Sequence, residues 1–188
     1  SPMSRGLGDV YKRQNQNTDQ LGYTDAPVDL HTDQPYLEHP PRYQALHCMR
    51  PADQGGENYI ADGAQAARYI RSIDAYAFEL LTTTPVRFHR RQKEFERHLS
   101  APLVELRDGD VYRVRSSYFT MDPHHVPFEV MEQWYRAYNR FADLMATPEH
   151  QYRFGLRTGD VLLYDNYRML HARAGFTGSR WVRGVYFE

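Results

Sequence analysis

The stretch Asp29-Leu-His-Thr-Asp-Gln-Pro-Tyr36 sets His31 and Asp33 two residues apart in a segment that begins like a strand. Strand side chains alternate between faces, so these two point the same way and could meet one ion. Two ligands seldom make a site, and a third must come from elsewhere. Of the nine histidines, His171 is the best placed, on a late strand just after a turn-bounded apolar run. Two histidines and one carboxylate form a facial set that leaves coordination positions open, an arrangement diagnostic of non-haem Fe(II) oxygenases. The pair alone is weak evidence, since such a spacing is more often a solvated aspartate beside a hydrogen-bonded core histidine. The other histidines compete poorly. His124 and His125 sit in a Pro-flanked loop, His39, His89, His98 and His150 have polar neighbours, and His47 lacks a partner at ligand spacing.

These residues need elements to position them. Residues 26–33 read as a short extended segment, followed by the loop Glu38-His-Pro-Pro-Arg-Tyr43. Residues 43–51 have β character, Asp53-Gln-Gly-Gly56 is a turn, and 58–63 is another strand. Asp62 can cap a helix over 63–73, and Asp74 a second over 75–83 that stops before Pro85. The run 103–117 is a hairpin turning at Asp108-Gly109. From Phe128 to Ala146, Met131, Trp134, Tyr138, Phe141 and Met145 recur at helical spacing, a stripe that predicts core. The last forty or so residues turn to β, with Thr158-Gly-Asp160 and Gly175–Ser179 as turns. Many short strands with helices gathered between them predict a mainly β, α+β domain, a sandwich or barrel with helical cover, and not alternating βαβ units.

Bulk properties set the outer bounds. The 188 residues, 41% hydrophobic and 25% charged, suit one domain with a real core. A net charge of −1 gives no basic surface for nucleic acid or membrane. The single cysteine, Cys48, rules out an internal disulfide and reads as a buried structural thiol. No span-length apolar run and no signal pattern appear, so the expected location is cytoplasmic. Residues 1–14 stand apart: Asp9-Val-Tyr-Lys-Arg-Gln14 looks like one frame of a transposon-type sequencing adapter, GAT GTG TAT AAG AGA CAG. The expectation is that 1–14 is non-native and that 15–188 is a partial catalytic domain, truncated at its N-terminus and at its C-terminus.

The motifs occur in a telling order: Leu21-Gly-Tyr-Thr24, His31-Thr-Asp33, His39-Pro-Pro41, Leu46-His-Cys48, Gly55-Gly56 with Asp62-Gly63, and Val126-Pro-Phe-Glu129. Gly159-Asp160 with Asp165-Asn166, Leu170-His-Ala-Arg173 and Ser179-Arg180 with Gly184 and Tyr186 complete it. From about residue 20 to 188 the chain resembles the γ-butyrobetaine and trimethyllysine hydroxylase branch of the Fe(II)/2-oxoglutarate dioxygenases, which is similar to taurine dioxygenase at superfamily level. The resemblance implies a double-stranded β-helix, or jelly roll, with the metal in its open mouth. It implies His31, Asp33 and His171 as catalytic iron ligands and Arg180 as the grip on the distal carboxylate of 2-oxoglutarate. A guanidinium suits that task because it pairs bidentately with a carboxylate. Asn58 falls where relatives often place a hydroxyl that assists cosubstrate binding.

The implied reaction is hydroxylation of a small substrate by O2, coupled to decarboxylation of 2-oxoglutarate to succinate and CO2. Relatives that act on trimethylammonium compounds hold the cation in an aromatic cage, and Tyr23 and Tyr186 match two cage positions. Ring faces are its natural host, because a quaternary ammonium cannot donate hydrogen bonds. Ser117 stands near where relatives place an asparagine for the betaine carboxylate, and a hydroxyl can still bind one. The expected partners are a small-molecule substrate and a second copy of the chain as a homodimer, with no nucleic acid and no membrane. Trimethyllysine, a sulfonate, a phosphonate or another small anion are alternative substrates, and a non-catalytic metal-binding jelly roll is the alternative of another class.

Overall fold

The computed structural model describes residues 8–13, 21–93, 95–122 and 125–188. Two four-stranded antiparallel sheets form its centre. In spatial order, one runs β1 (Gly8–Arg13), β15 (Trp181–Phe187), β3 (Tyr43–Arg50) and β12 (Val161–Asp165). The other runs β11 (Gln151–Phe154), β5 (Asn58–Asp62), β13 (Met169–Arg173) and β2 (Val28–His31). Strands from opposite ends of the chain thus lie side by side, as a jelly roll requires. On β3 the alternation is regular, with Gln44, Leu46 and Cys48 buried. On β13 it is lost: Leu170, His171, Ala172 and Arg173 are all buried, because that strand is covered on both faces.

Three helices supply the cover. Asp62 and Asp74 cap α1 (Gly63–Ile73) and α2 (Ala75–Thr83), each carboxylate accepting a backbone N–H three residues on at 2.9 Å. In α3 (Phe128–Ala146), Trp134, Ala137, Phe141 and Met145 are buried, and Met131 and Tyr138 pack against the same core. The aromatic stripe is therefore core, as its spacing predicts. Gly63 opens α1 against the β12–β13 turn, its N–H donating to the Arg168 carbonyl at 3.0 Å. A Cβ there would stand 2.5 Å from Leu170 Cδ1, the neighbour of His171, so any larger residue would push on that strand.

The predicted hairpin forms as β8 (Val104–Arg107) and β9 (Asp110–Val114), with Asp108 and Gly109 both at positive φ. A second hairpin is not evident in the sequence pattern. β6 (Val86–Gln92) and β7 (Phe95–Ala101) pair over their full length, with β10 (Met121–Asp122) on the outer side of β6. The short pair β4 (Gln54–Gly55) and β14 (Phe176–Thr177) depends on its glycines. Gly55 has φ +73, and a Cβ on it would lie 2.4 Å from the Gly175 carbonyl oxygen. The segment set aside from fold reasoning also carries structure, since Gly8–Arg13 pairs with β15 along its whole length. The edge of β15 offers backbone donors and acceptors that any extended segment satisfies. Among the described residues, no helix is long and apolar enough to cross a membrane.

Candidate metal centre

His31 closes β2 and His171 sits mid-β13, and the two are paired directly across the antiparallel ladder. With Asp33 they present ligand atoms that all lie within 4.8 Å of one another. His31 Nε2 is 3.4 Å from Asp33 Oδ1, and His171 Nε2 is 3.9 Å from Asp33 Oδ2. Both histidines are buried and Asp33 is nearly so. His31 Nδ1 lies 2.7 Å from the Asp29 carbonyl oxygen. That oxygen can only accept, so the proton belongs on Nδ1 and the Nε2 lone pair faces the carboxylate. The His171 ring lies between those of His31 and Tyr164, at 4.2 and 4.9 Å. Two imidazole nitrogens and a carboxylate converging on one buried point fit a divalent first-row transition metal.

Asp33 is held from behind. Asn166, buried at 2% exposure, accepts the Asp33 N–H through Oδ1 at 2.7 Å. Its Nδ2 donates to the carbonyls of Asp33 and Pro41 at 3.1 and 2.9 Å. Thr32 is tied to Ser116, its N–H donating to the Ser116 carbonyl at 2.6 Å. Past Asp33 the chain turns through Gln34 at φ 55, a left-handed conformation uncommon for a non-glycine residue. The turn is braced by Arg115, which donates to the carbonyls of Pro35, Leu37 and Glu38. Arg115 is itself paired with Glu105, which also receives Arg113. Asn166 belongs to a motif noted in the sequence, but its role and that of Arg115 were not evident there, because both act on backbone groups far along the chain.

The triad opens on a cavity of about 230 Å³, lined also by Tyr23, Asn58, Arg180 and Tyr186. Among the described residues Arg180 makes no hydrogen bond or ion pair, and its guanidinium lies over the Phe176 ring at 5.7 Å. Burial pulls its pKa down, with a small opposing pull from Cys48. Arg173 is close by, pulled down to about 10 by burial first and then by Arg180, partly offset by Asp25. It ties down the Tyr23 segment through the carbonyls of Thr24 and Ala26. This end of the cavity is electropositive. Asn58 is buried, and its Nδ2 has no partner among the described residues. The Tyr186 hydroxyl donates to Asp33 Oδ2 at 3.2 Å, while burial first and then Asp33 hold its pKa well above the usual phenol range.

Ser117 is not part of this wall. It is fully buried, and its carbonyl accepts the N–H groups of Thr120 and Met121. Tyr36, Phe119, Arg90 and Gln92 do line the cavity, and sequence reasoning missed them. Tyr36 lies only three residues past Asp33, so proximity was the available signal.

The family described as "Taurine catabolism dioxygenase TauD, TfdA family" matches residues 2–186. Human gamma-butyrobetaine dioxygenase is 34% identical over 177 residues, which cover 89% of this chain and 46% of that protein. Bovine mitochondrial trimethyllysine dioxygenase is 30% identical over 171 residues, covering 87% of this chain and 41% of the relative. The chain thus spans a little under half the length of these relatives. Among solved structures, the non-heme iron oxygenase OrfP in complex with Fe and alpha-ketoglutaric acid superposes with a TM-score of 0.72 at 21% identity, over 96% of this chain and 56% of that one. That likeness establishes the jelly-roll fold. With the match running through nearly every described residue, the chain belongs to the TauD/TfdA dioxygenase family.

Proposed function

We propose that this chain carries the catalytic centre of an Fe(II)/2-oxoglutarate-dependent dioxygenase that hydroxylates a small trimethylammonium compound of the γ-butyrobetaine type. One observation carries the reading: a His/Asp/His donor set shares one cavity with Arg180, a half-buried guanidinium that has no hydrogen bond or ion pair among the described residues. A mere metal-binding module would need the first and not the second.

His31, Asp33 and His171 would hold the iron. Arg180 would take the distal carboxylate of 2-oxoglutarate as a charge-assisted pair, with the Asn58 amide as a further donor. Bound together, iron and 2-oxoglutarate supply the oxidising chemistry by which O2 hydroxylates a C–H bond while 2-oxoglutarate is decarboxylated to succinate and CO2. The chain's own task is to bind, orient and exclude water. Tyr23 and Tyr186 present rings to the cavity, each able to contribute about 0.5–2 kcal/mol toward a quaternary ammonium. A trimethyllysine would meet the same rings.

The test is an anaerobic titration with Fe(II) and 2-oxoglutarate, following the visible iron-to-cosubstrate charge-transfer band. The band should appear in the wild type, vanish in His171→Ala, and weaken in Arg180→Met through loss of 2-oxoglutarate affinity. Its persistence in His171→Ala would overturn the ligand set.

A further inference from the structure

We infer that Arg90 and Gln92, at the end of β6, form the site that takes an anionic group of the substrate. The inference rests on the dioxygenase reading above and names the chemical class of its substrate, a small zwitterion with a cationic head and a carboxylate.

Alternation along β6 is the first observation. Val86 and Phe88 are fully buried on its inward face, and Arg90 and Gln92 follow on that same face. The face that begins as core therefore ends as cavity wall. Arg90 thus places a half-buried guanidinium where the pattern calls for an apolar side chain, facing the cavity. On the outward face the polar side chains find partners: Arg87 meets His125 at 3.1 Å, and His89 meets Glu96 at 2.9 Å. Among the described residues Arg90 has no hydrogen bond and no carboxylate.

Position is the second observation. The Arg90 guanidinium lies 5.9 Å from the centre of the Phe119 ring, which packs edge-on against His31 at 5.2 Å. Tyr36 senses both sides: burial raises its phenol, Arg90 draws it down and Asp33 pushes it up. Arg90 thus sits on the metal side of the cavity, on a different element from Arg180. Three guanidiniums line the cavity; Arg173 is spent on the carbonyls of Thr24 and Ala26, which leaves Arg180 and Arg90. If Arg180 is committed to the cosubstrate, the second is left for the substrate, with the Gln92 amide as a neighbouring donor. The serine expected to meet the substrate carboxylate, Ser117, lies outside the cavity wall.

The experiment uses the whole chain, anaerobic, with Fe(II) and 2-oxoglutarate present, and compares two probes by calorimetry. γ-Butyrobetaine carries the carboxylate, whereas butyltrimethylammonium keeps the cation and lacks it. The wild type should prefer γ-butyrobetaine by about 10- to 100-fold, the value of a charge-assisted pair. Arg90→Met should shrink the preference below about threefold without altering the affinity for butyltrimethylammonium. Gln92→Leu should reduce it in part, and Arg90→Lys should retain some of it. The charge-transfer band should be unchanged in all three variants, which also verifies their fold. A preference that survives in Arg90→Met, or a wild type that prefers neither probe, overturns the inference. Absence of the band in the wild type would instead strike the cosubstrate reading, so the two failures are distinguishable.

Discussion

His31 and His171, 140 residues apart in sequence, are direct partners across the β2–β13 ladder, with ring centroids 4.2 Å apart. A divalent ion that binds only the folded chain stabilises it by mass action, by about 2.7 kcal/mol at a hundredfold excess over Kd. Mn(II) or anaerobic Fe(II) should therefore raise the apparent melting temperature, and EDTA should reverse the gain. Asp33→Ala should show no gain; an equal gain in that variant would put the ion elsewhere.

Asn166 fixes Asp33 through both of its backbone groups. Asn166→Leu should weaken metal affinity about 10- to 100-fold, as lost supporting bonds behind a ligand typically do. It should also cost about 1–3 kcal/mol in urea unfolding, because the Asp33 N–H and the Pro41 carbonyl lose their partner. A Mn(II) titration followed by electron paramagnetic resonance separates the two effects.

Glu105 links the metal loop to pH. Burial pushes its carboxyl up, but the Arg113 and Arg115 guanidiniums outweigh that and hold it below the ordinary value of 4.5. A carboxyl lowered in the folded state stabilises fully above its unfolded pKa, and the benefit is lost as pH falls through the folded value. Glu105→Gln should cost about 3 kcal/mol at neutral pH, since it leaves the fully buried Arg115 without its counter-charge. The gap between wild type and variant should narrow below about pH 4.5. A gap independent of pH would show that charge is not what matters there.

Tyr186 has a ring toward the cavity and a hydroxyl on Asp33. Tyr186→Phe keeps the ring and should leave the Kd for γ-butyrobetaine nearly unchanged. Tyr186→Ala removes a wall and should raise it by roughly 2- to 30-fold, the range of one cation–π contact. Equal effects of both substitutions would assign the residue to Asp33 alone.

The framework was legible wherever local physics decides it. Asp62 and Asp74 announce helix starts, Asp108-Gly109 announces a hairpin, and the stripe from Met131 to Met145 announces a buried face. His31 and Asp33 were legible as a same-face pair, and His171 by its late-strand setting. The 86–101 hairpin was not, because its inward face passes from Val86 and Phe88 to Arg90 and Gln92 and so breaks the apolar alternation. Asn166 was hidden for another reason: its bonds reach backbone 133 and 125 positions away, and no local pattern encodes them. Ser117 was assigned by motif position alone, and it does not line the cavity.

The β2–β13 pairing also orders events in time. A ribosome adding about 5–20 residues per second releases His31 and Asp33 many seconds before His171. Throughout that interval the nascent chain owns two donors and no pocket. Iron can be captured securely only after synthesis has passed β13 and that strand has slotted between β2 and β5. Metal loading therefore waits on the insertion of β13, and cellular iron supply acts only on chains whose synthesis has passed that strand.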